Sequence, residues 1–180
     1  MALTIAFLRA VNVAGRKLVA MAELKAMLAE LGFAEARTLL SSGNVVFDAW
    51  GQTGAALEAK LEAAAETRFG LATDWHVRTA AEWAAAVAAN PFPAFAERDP
   101  SHLVIAPAKS EPAADAVAAL QASVVGREEI RAVGRQLYIT YPDSISDSKL
   151  TLAVIERRLG VRATGRNWNT ALKLAAMVAT

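Results

Sequence analysis

The sequence predicts an α+β protein built from two ferredoxin-like halves, with a helix at the C-terminus. Two observations support this fold class. The same order of short apolar runs and helical periodicities occurs twice, and prolines cluster between the two copies. The chain has 180 residues, enough for one large domain or two small ones. We predict an N-terminal half over 1–90, a proline-rich connection over 91–100 and a C-terminal half over 101–180.

The N-terminal half is predicted to have the order βαββαβ and to end in a linking helix. Residues 3–8 form the first apolar run of strand length, and helical spacing begins at Met21 and stops at Gly32. Two further strands, 36–40 and 45–47, flank a segment of turn-forming residues. The remaining elements are a helix over 53–69, a strand over 71–77 and a helix to residue 89, opened by the capping-box pair Thr79 and Glu82.

The C-terminal half is predicted to have the order βαββα. Its helices are expected to begin at Ser110-Glu111-Pro112, at Ser146 or Asp147, and at Asn167, since these residue types favour helix starts. The predicted strands are 102–106, 130–133 and 136–141, with a brief extended piece at 162–163.

Composition and charge exclude several functional classes. The formal net charge is +1, so no global field attracts nucleic acid or anionic lipid. The chain has no cysteine, which excludes disulfides and thiolate chemistry and favours a cytoplasmic location. No run has the length and apolarity of a membrane span. However, Lys149 to Lys173 contains six basic residues and one acid, so an anionic partner is expected to meet this region.

The strongest candidate site is Arg166-Asn167-Trp168-Asn169-Thr170, at the predicted start of the last helix. A helix N-terminus attracts anions, arginine suits phosphate or carboxylate, and a tryptophan offers a stacking face. The alternative is structural: Asn167 caps the helix and Trp168 packs into the core.

Two other loops carry polar residues. Arg9 and Asn12 follow the first strand. Either they contact an anion there, or Arg9 pairs with an internal carboxylate and Asn12 holds a turn. Ser42 and Asn44 belong to a turn whose backbone could receive an anion, although a tight hairpin needs the same residues. His76 and His102 are isolated, so we expect neither a metal site nor a cofactor.

Three segments of the chain resemble one bacterial family, domain-of-unknown-function 1697. They are Phe7-Leu8-Arg9-Ala10-Val11-Asn12-Val13-Ala14-Gly15 with Met21-Ala22-Glu23-Leu24, then Ser42-Gly43-Asn44-Val45-Val46-Phe47, and Ser148-Lys149-Leu150 with Glu156–Val161 and Arg166–Thr170. The resemblance implies an α+β fold with ferredoxin-like halves, and it implies no activity.

These patterns leave several functions open. The leading hypothesis is a protein that binds a small anionic or nucleotide-like ligand between its two halves. The alternatives are a cofactor-free enzyme acting on such a ligand, a nucleic-acid-binding protein that uses the basic C-terminal region, and an interaction module or homodimer interface. The protein is expected to be a monomer or a homodimer. The predicted ligand-binding residues are Arg9, Asn12, Ser42, Asn44, Lys149, Arg166, Asn167, Trp168, Asn169 and Thr170.

Overall fold

The computed structural model describes residues 3–9 and 19–179 and confirms the α+β class. The first half forms an antiparallel four-stranded sheet with the strand order β2-β3-β1-β4. Its elements are β1 (Leu3–Leu8), α1 (Met21–Glu30), β2 (Arg37–Leu39), β3 (Asn44–Asp48), α2 (Gly54–Phe69), β4 (Trp75–Thr79) and α3 (Ala80–Ala88).

The second half repeats this plan with the strand order β6-β7-β5-β8, again antiparallel throughout. Its elements are α4 (Pro93–Arg98), a 3-10 turn (Pro100–His102), β5 (Leu103–Pro107), α5 (Ala114–Ser123), β6 (Glu129–Val133), β7 (Gln136–Thr140), α6 (Leu152–Leu159), β8 (Arg166–Asn167) and α7 (Trp168–Val178). In both halves the third strand lies between the first two, which is the split-βαβ plan.

The sequence prediction missed the fourth strand of the second half. This strand, β8, has only two residues, and it pairs with β5, where Ile105 lies opposite Arg166. An isolated bridge between Ala108 and Ala163 extends the pairing, so the predicted extended piece at 162–163 leads into β8. The second half is therefore βαββαβ, not βαββα.

The described chain divides into two compact units whose limits differ from the predicted ones. The first unit runs to Ala84 and includes the chain from Leu174, and the second is Ala85–Lys173. The predicted connection, 91–100, contains α4 and belongs to the second unit.

Local capping chemistry explains several helix limits in the described chain. The capping box is present: Thr79 N–H donates to the Glu82 carboxylate (2.8 Å), and Glu82 N–H donates to the Thr79 hydroxyl (3.1 Å). The helices α2 and α6 end at Gly70 and Gly160, both in the left-handed conformation that glycine tolerates best.

Three predicted limits are wrong. Pro112 precedes α5 instead of lying in its first turn, because the helix begins at Ala114. The cap of α6 is Thr151, whose hydroxyl accepts from Val154 N–H at 3.3 Å, and not Ser146 or Asp147. The strand predicted over 71–77 is β4, which begins only at Trp75.

Each unit has its own hydrophobic core between two helices and one face of its sheet. In the first unit α1 and α2 cover this face, and in the second α5 and α6 do so. The opposite face of the first sheet is also buried, and there the Phe7 ring lies 5.0 Å from the ring of Trp83 on α3.

Glutamate side chains of the helices accept hydrogen bonds from backbone N–H groups at the edges of both sheets. On β4, Trp75 N–H donates to Glu62 (3.0 Å) and Val77 N–H donates to Glu58 (2.9 Å), both on α2. Beside β8, Ala163 N–H donates to Glu156 of α6 at 2.9 Å. These carboxylates satisfy donors that a sheet edge would otherwise leave unpaired.

Candidate functional site

The two site segments predicted in the N-terminal half, which begin at Arg9 and Ser42, lie together in the first unit. Arg9 follows β1; its N–H donates to Asp74 O at 3.0 Å, and its carbonyl accepts from the Thr73 hydroxyl at 2.8 Å. The preceding residue, Leu8, donates its N–H to Gly43 O at 2.9 Å, so Arg9 lies beside the turn between β2 and β3. Asn12 lies outside the described residues.

Asn44 has a structural position directly after that turn, at the start of β3. Its side chain is fully buried, and its amide donates to Leu39 O and to the Ser42 hydroxyl, each at 2.9 Å. The residues with positive φ are Leu40 and Gly43, whereas Asn44 already belongs to β3. These contacts correspond to the hairpin interpretation of Ser42 and Asn44.

Arg166, the first residue of the candidate segment at the start of the last helix, is buried in the second unit. Its guanidinium donates to the Thr164 hydroxyl (2.9 Å) and to Gly165 O (2.8 Å). Burial lowers the pKa of Arg166 to about 10, because loss of water disfavours the charged form. Trp168 and Thr170 are also buried, so the Trp168 ring does not offer a stacking face on the surface.

Asn167 caps the last helix, as the sequence predicted. Its side-chain oxygen accepts from Thr170 N–H at 2.9 Å and so satisfies a donor of the first turn. The neighbouring Asn169 is exposed and makes a long hydrogen bond of 3.4 Å to the Ser101 hydroxyl.

Replacing Asn167 with alanine should therefore lower the free energy of unfolding by about 1 kcal/mol, the usual value of such a cap. Urea unfolding measures the change. Asn169→Ala is the matched control, since this exposed residue caps nothing and should shift stability by less than about 0.5 kcal/mol. Equal effects of the two substitutions would contradict the assigned cap.

Lys149 lines a separate pocket of about 380 Å³ in the second unit. Leu120, Val124, Leu150 and Val154 are among its apolar lining residues, and Glu128, Asp143 and Asp147 are its acids. Ser148 donates its hydroxyl to Glu128, while Arg127 pairs with Asp143. Three carboxylates beside one lysine disfavour an anionic ligand in this pocket.

Three basic residues from distant parts of the sequence have neighbouring backbones at the end of β5. Lys109 N–H donates to Arg162 O at 2.8 Å, and the adjacent Ala108 N–H donates to Arg135 O at 2.8 Å. Lys109, Arg135 and Arg162, which we call the cation cluster, thus come from three distant segments. Arg162 is exposed, and the other two are half-buried.

The cation cluster occupies the place in the second unit that Arg9 occupies in the first. Leu8 and Ala108 each donate to the hairpin turn of their own sheet, and Arg9 and Lys109 each donate to the segment that leads into the fourth strand. Arg9, which was predicted as a site residue after β1, therefore has a counterpart in Lys109 after β5. The sequence signal that could have located it is Lys109, a cation directly after a buried strand.

A second correspondence concerns the buried arginines of the fourth strands. Arg78 lies opposite Ile5 and Arg166 lies opposite Ile105. Each guanidinium donates to the carbonyl of the preceding residue, at 2.7 Å in Arg78 and 2.8 Å in Arg166. Because the two arginines share register and contact, we assign Arg166 a structural role.

Within residues 3–9 and 19–179, no three histidine, aspartate or glutamate side chains are grouped so as to hold a metal ion. No helix in these ranges has both the length and the apolarity needed to cross a membrane.

The fold thus defines an α+β protein of two split-βαβ units, with three basic residues side by side at the end of β5 in its second unit. The family described as "Protein of unknown function (DUF1697)" matches residues 1–138, and the chain belongs to that family. The match ends before the segment 148–170, which contributed to the resemblance noted from the sequence.

One solved structure has the same fold over nearly the whole chain. It is the conserved bacterial protein SP0830 from Streptococcus pneumoniae, with a TM-score of 0.77 and 23% sequence identity over 99% of each chain. Among curated protein sequences, none matches this chain.

Proposed function

We propose that this protein binds a small anionic ligand at the cation cluster of its second unit. The observation that carries the proposal is the proximity of the Lys109, Arg135 and Arg162 backbones, which two backbone hydrogen bonds of 2.8 Å, from Ala108 and Lys109, hold together. Convergent cations from separate segments suit phosphate and carboxylate groups, because charge-assisted hydrogen bonds are the strong ones.

The charges around the cluster support an anion more than a cation. Glu111 is exposed two residues after Lys109, and Glu156 is buried with its carboxylate on Ala163 N–H. Three basic residues with neighbouring backbones therefore stand against the exposed Glu111. Arginine contributes a planar fork and lysine a mobile point charge, so the cluster can adapt to different anions.

Arg166 and Trp168 are buried, so we propose that neither side chain contacts the ligand directly. Both belong to the segment that follows Arg162 and completes the second sheet through β8. We therefore propose that Arg166 holds this segment, and with it Arg162, in position. A nucleotide base would need a stacking partner other than Trp168, because that ring is buried. We therefore propose that the protein recognises the phosphate or carboxylate group of its ligand.

Arg162→Ala should weaken binding of pyrophosphate by about tenfold, the loss expected for one charge-assisted hydrogen bond. Isothermal titration calorimetry on the full chain measures this change, with pyrophosphate, citrate and ATP as probes. Lys25→Ala is the control, since Lys25 is an exposed cation on α1 of the first unit. If pyrophosphate binds the Arg162 and Lys25 variants equally well, the cation cluster is not the site.

Salt dependence and turnover test two of the three alternatives from the sequence, nucleic acid binding and enzyme activity, and all three stay predictions. Nucleic acid binding would fall steeply and continuously with salt as counterions are released, whereas a small anion with two or three contacts would show a shallow dependence. Turnover of a bound anion, followed by phosphorus NMR, would indicate the enzyme alternative.

A further inference from the structure

One pocket of the second unit, which we call the Glu128 pocket, combines apolar and charged lining residues. Its volume of about 380 Å³ lies within the usual range for small-ligand sites. Leu120 and Leu150 are buried members of the lining, whereas Val125, also in the lining, is 93% exposed. An apolar ligand that covers Val125 would remove this apolar surface from water, which is favourable.

The charges of the lining leave one carboxylate without a counter-charge. Asp143 pairs with Arg127, and the exposed Asp147 and Lys149 carry opposite charges two positions apart. Glu128 is half-buried, and it forms no salt bridge with any residue that the structure describes. Removing a carboxylate from water is costly unless a partner compensates its charge, so a cation is the ligand that this pocket favours.

The Glu128 carboxylate has one oxygen held by the protein and one oxygen available. The Ser148 hydroxyl accepts from Leu150 N–H at 3.0 Å and donates to Glu128 Oε1. No group of the described residues donates to the other oxygen, Oε2. A Cβ at position 126 would overlap Oε2, so Gly126 leaves room for the carboxylate in this position.

The charge of Glu128 acts on the protein interior beside the pocket. Tyr141 is buried, and its hydroxyl donates to the carbonyl of the lining residue Leu150 at 2.9 Å. Burial raises the pKa of Tyr141 to about 12, and the negative charge of Glu128 adds to the rise. A carboxylate whose field acts through protein attracts a cation more strongly than one surrounded by water.

We propose that the Glu128 pocket binds a small alkylammonium ligand, that is, a protonated primary amine with an apolar chain. The ammonium group donates to Glu128 Oε2, and the chain lies against the apolar lining residues. The pocket shares no residue with the cation cluster and takes a ligand of the opposite charge, so this proposal does not depend on the function proposed above.

Three probes with the same six-carbon chain test the proposal by calorimetry on the full chain at neutral pH. Hexylammonium should bind at least tenfold more tightly than hexanol, because it adds a charge-assisted hydrogen bond to the carboxylate. Hexanoate should bind more weakly than hexanol, since its charge repels that of Glu128. Shortening hexylammonium to butylammonium should lower affinity about two- to fourfold for each methylene lost.

Glu128→Gln should lower the affinity for hexylammonium about tenfold and leave that for hexanol unchanged. The amide keeps the size of the side chain and an oxygen that accepts from the Ser148 hydroxyl, so the fold should be retained. Glu129→Gln is the matched control, because Glu129 is the exposed neighbour and does not line the pocket. It should leave the binding of both probes unchanged.

Several outcomes would overturn the proposal. The site is wrong if hexylammonium does not bind, if hexanol binds as tightly, or if the Glu128 and Glu129 variants behave alike. A lysine side chain of another protein carries the same head group, and Nα-acetyl-lysine methylamide is the probe for it. If this amide binds more tightly than hexylammonium, the pocket receives a protein side chain and the free amine is wrong.

Discussion

Arg166→Ala should lower the free energy of unfolding by about 2–4 kcal/mol. The substitution removes the donor to the Thr164 hydroxyl and to Gly165 O, and it leaves a cavity where a buried side chain lay. Both losses affect the segment that forms β8, so the short strand should be the first to loosen. Urea unfolding followed by circular dichroism measures the change.

Arg162→Ala is the matched control, because Arg162 is an exposed arginine of the same segment. Its stability should change by less than about 0.5 kcal/mol, as for most exposed positions. The pair thus separates support of the fold at Arg166 from ligand binding at Arg162. An Arg166 variant as stable as the original chain would show that the buried guanidinium contributes little.

Glu58→Ala should lower the free energy of unfolding by about 1.5–3 kcal/mol. Glu58 is buried on α2, and its carboxylate is the acceptor for Val77 N–H at 2.9 Å. Truncation leaves a buried backbone donor on β4 without this acceptor, and hydrogen bonds to charged groups have about this value. The better helix propensity of alanine offsets only a few tenths of a kcal/mol.

Glu66→Ala provides the comparison, since Glu66 is exposed two turns further along the same helix. Glu58→Gln keeps an oxygen acceptor and should lose less than the alanine variant. Hydrogen exchange at the Val77 amide, read by NMR, should accelerate most in Glu58→Ala. Unchanged exchange there would indicate that another group accepts this donor.

Local chemistry explains why much of the fold could be predicted from the sequence. The apolar run of β1, the Thr79–Glu82 capping box and the Asn167 cap each depend on residues within five positions of one another. The cap of α6 could not be chosen in the same way, because Ser146, Asp147 and Thr151 are all good capping residues in one loop. Tertiary packing selects Thr151.

The strand β8 escaped prediction because its pairing is not local. Two residues give no alternation of apolar and polar side chains, and their partner strand lies about 60 positions earlier in the chain. The burial of Arg166 could not be predicted either, because arginine is rarely buried and nothing adjacent in the sequence indicates its enclosure.

The candidate site was predictable only in part. Sequence analysis placed a cation after the first strand, at Arg9, and counted Arg162 among the basic residues of the C-terminal region. It could not bring Lys109, Arg135 and Arg162 together, because strand register in the second sheet sets their proximity. The placement of a ligand between the two halves stays a prediction.

The shared register of the two sheets bears on how this chain arose. Residues at matching places on the first strands differ by 100 in number, as in Ile5 and Ile105, and the fourth strands carry arginine at the matching place. We infer that an ancestral gene encoding one six-element unit was duplicated and fused. After such an event one copy can keep the scaffold while the other acquires new charges. A present-day relative consisting of a single unit would support this origin, and relatives whose two halves lack the shared arginine register would count against it.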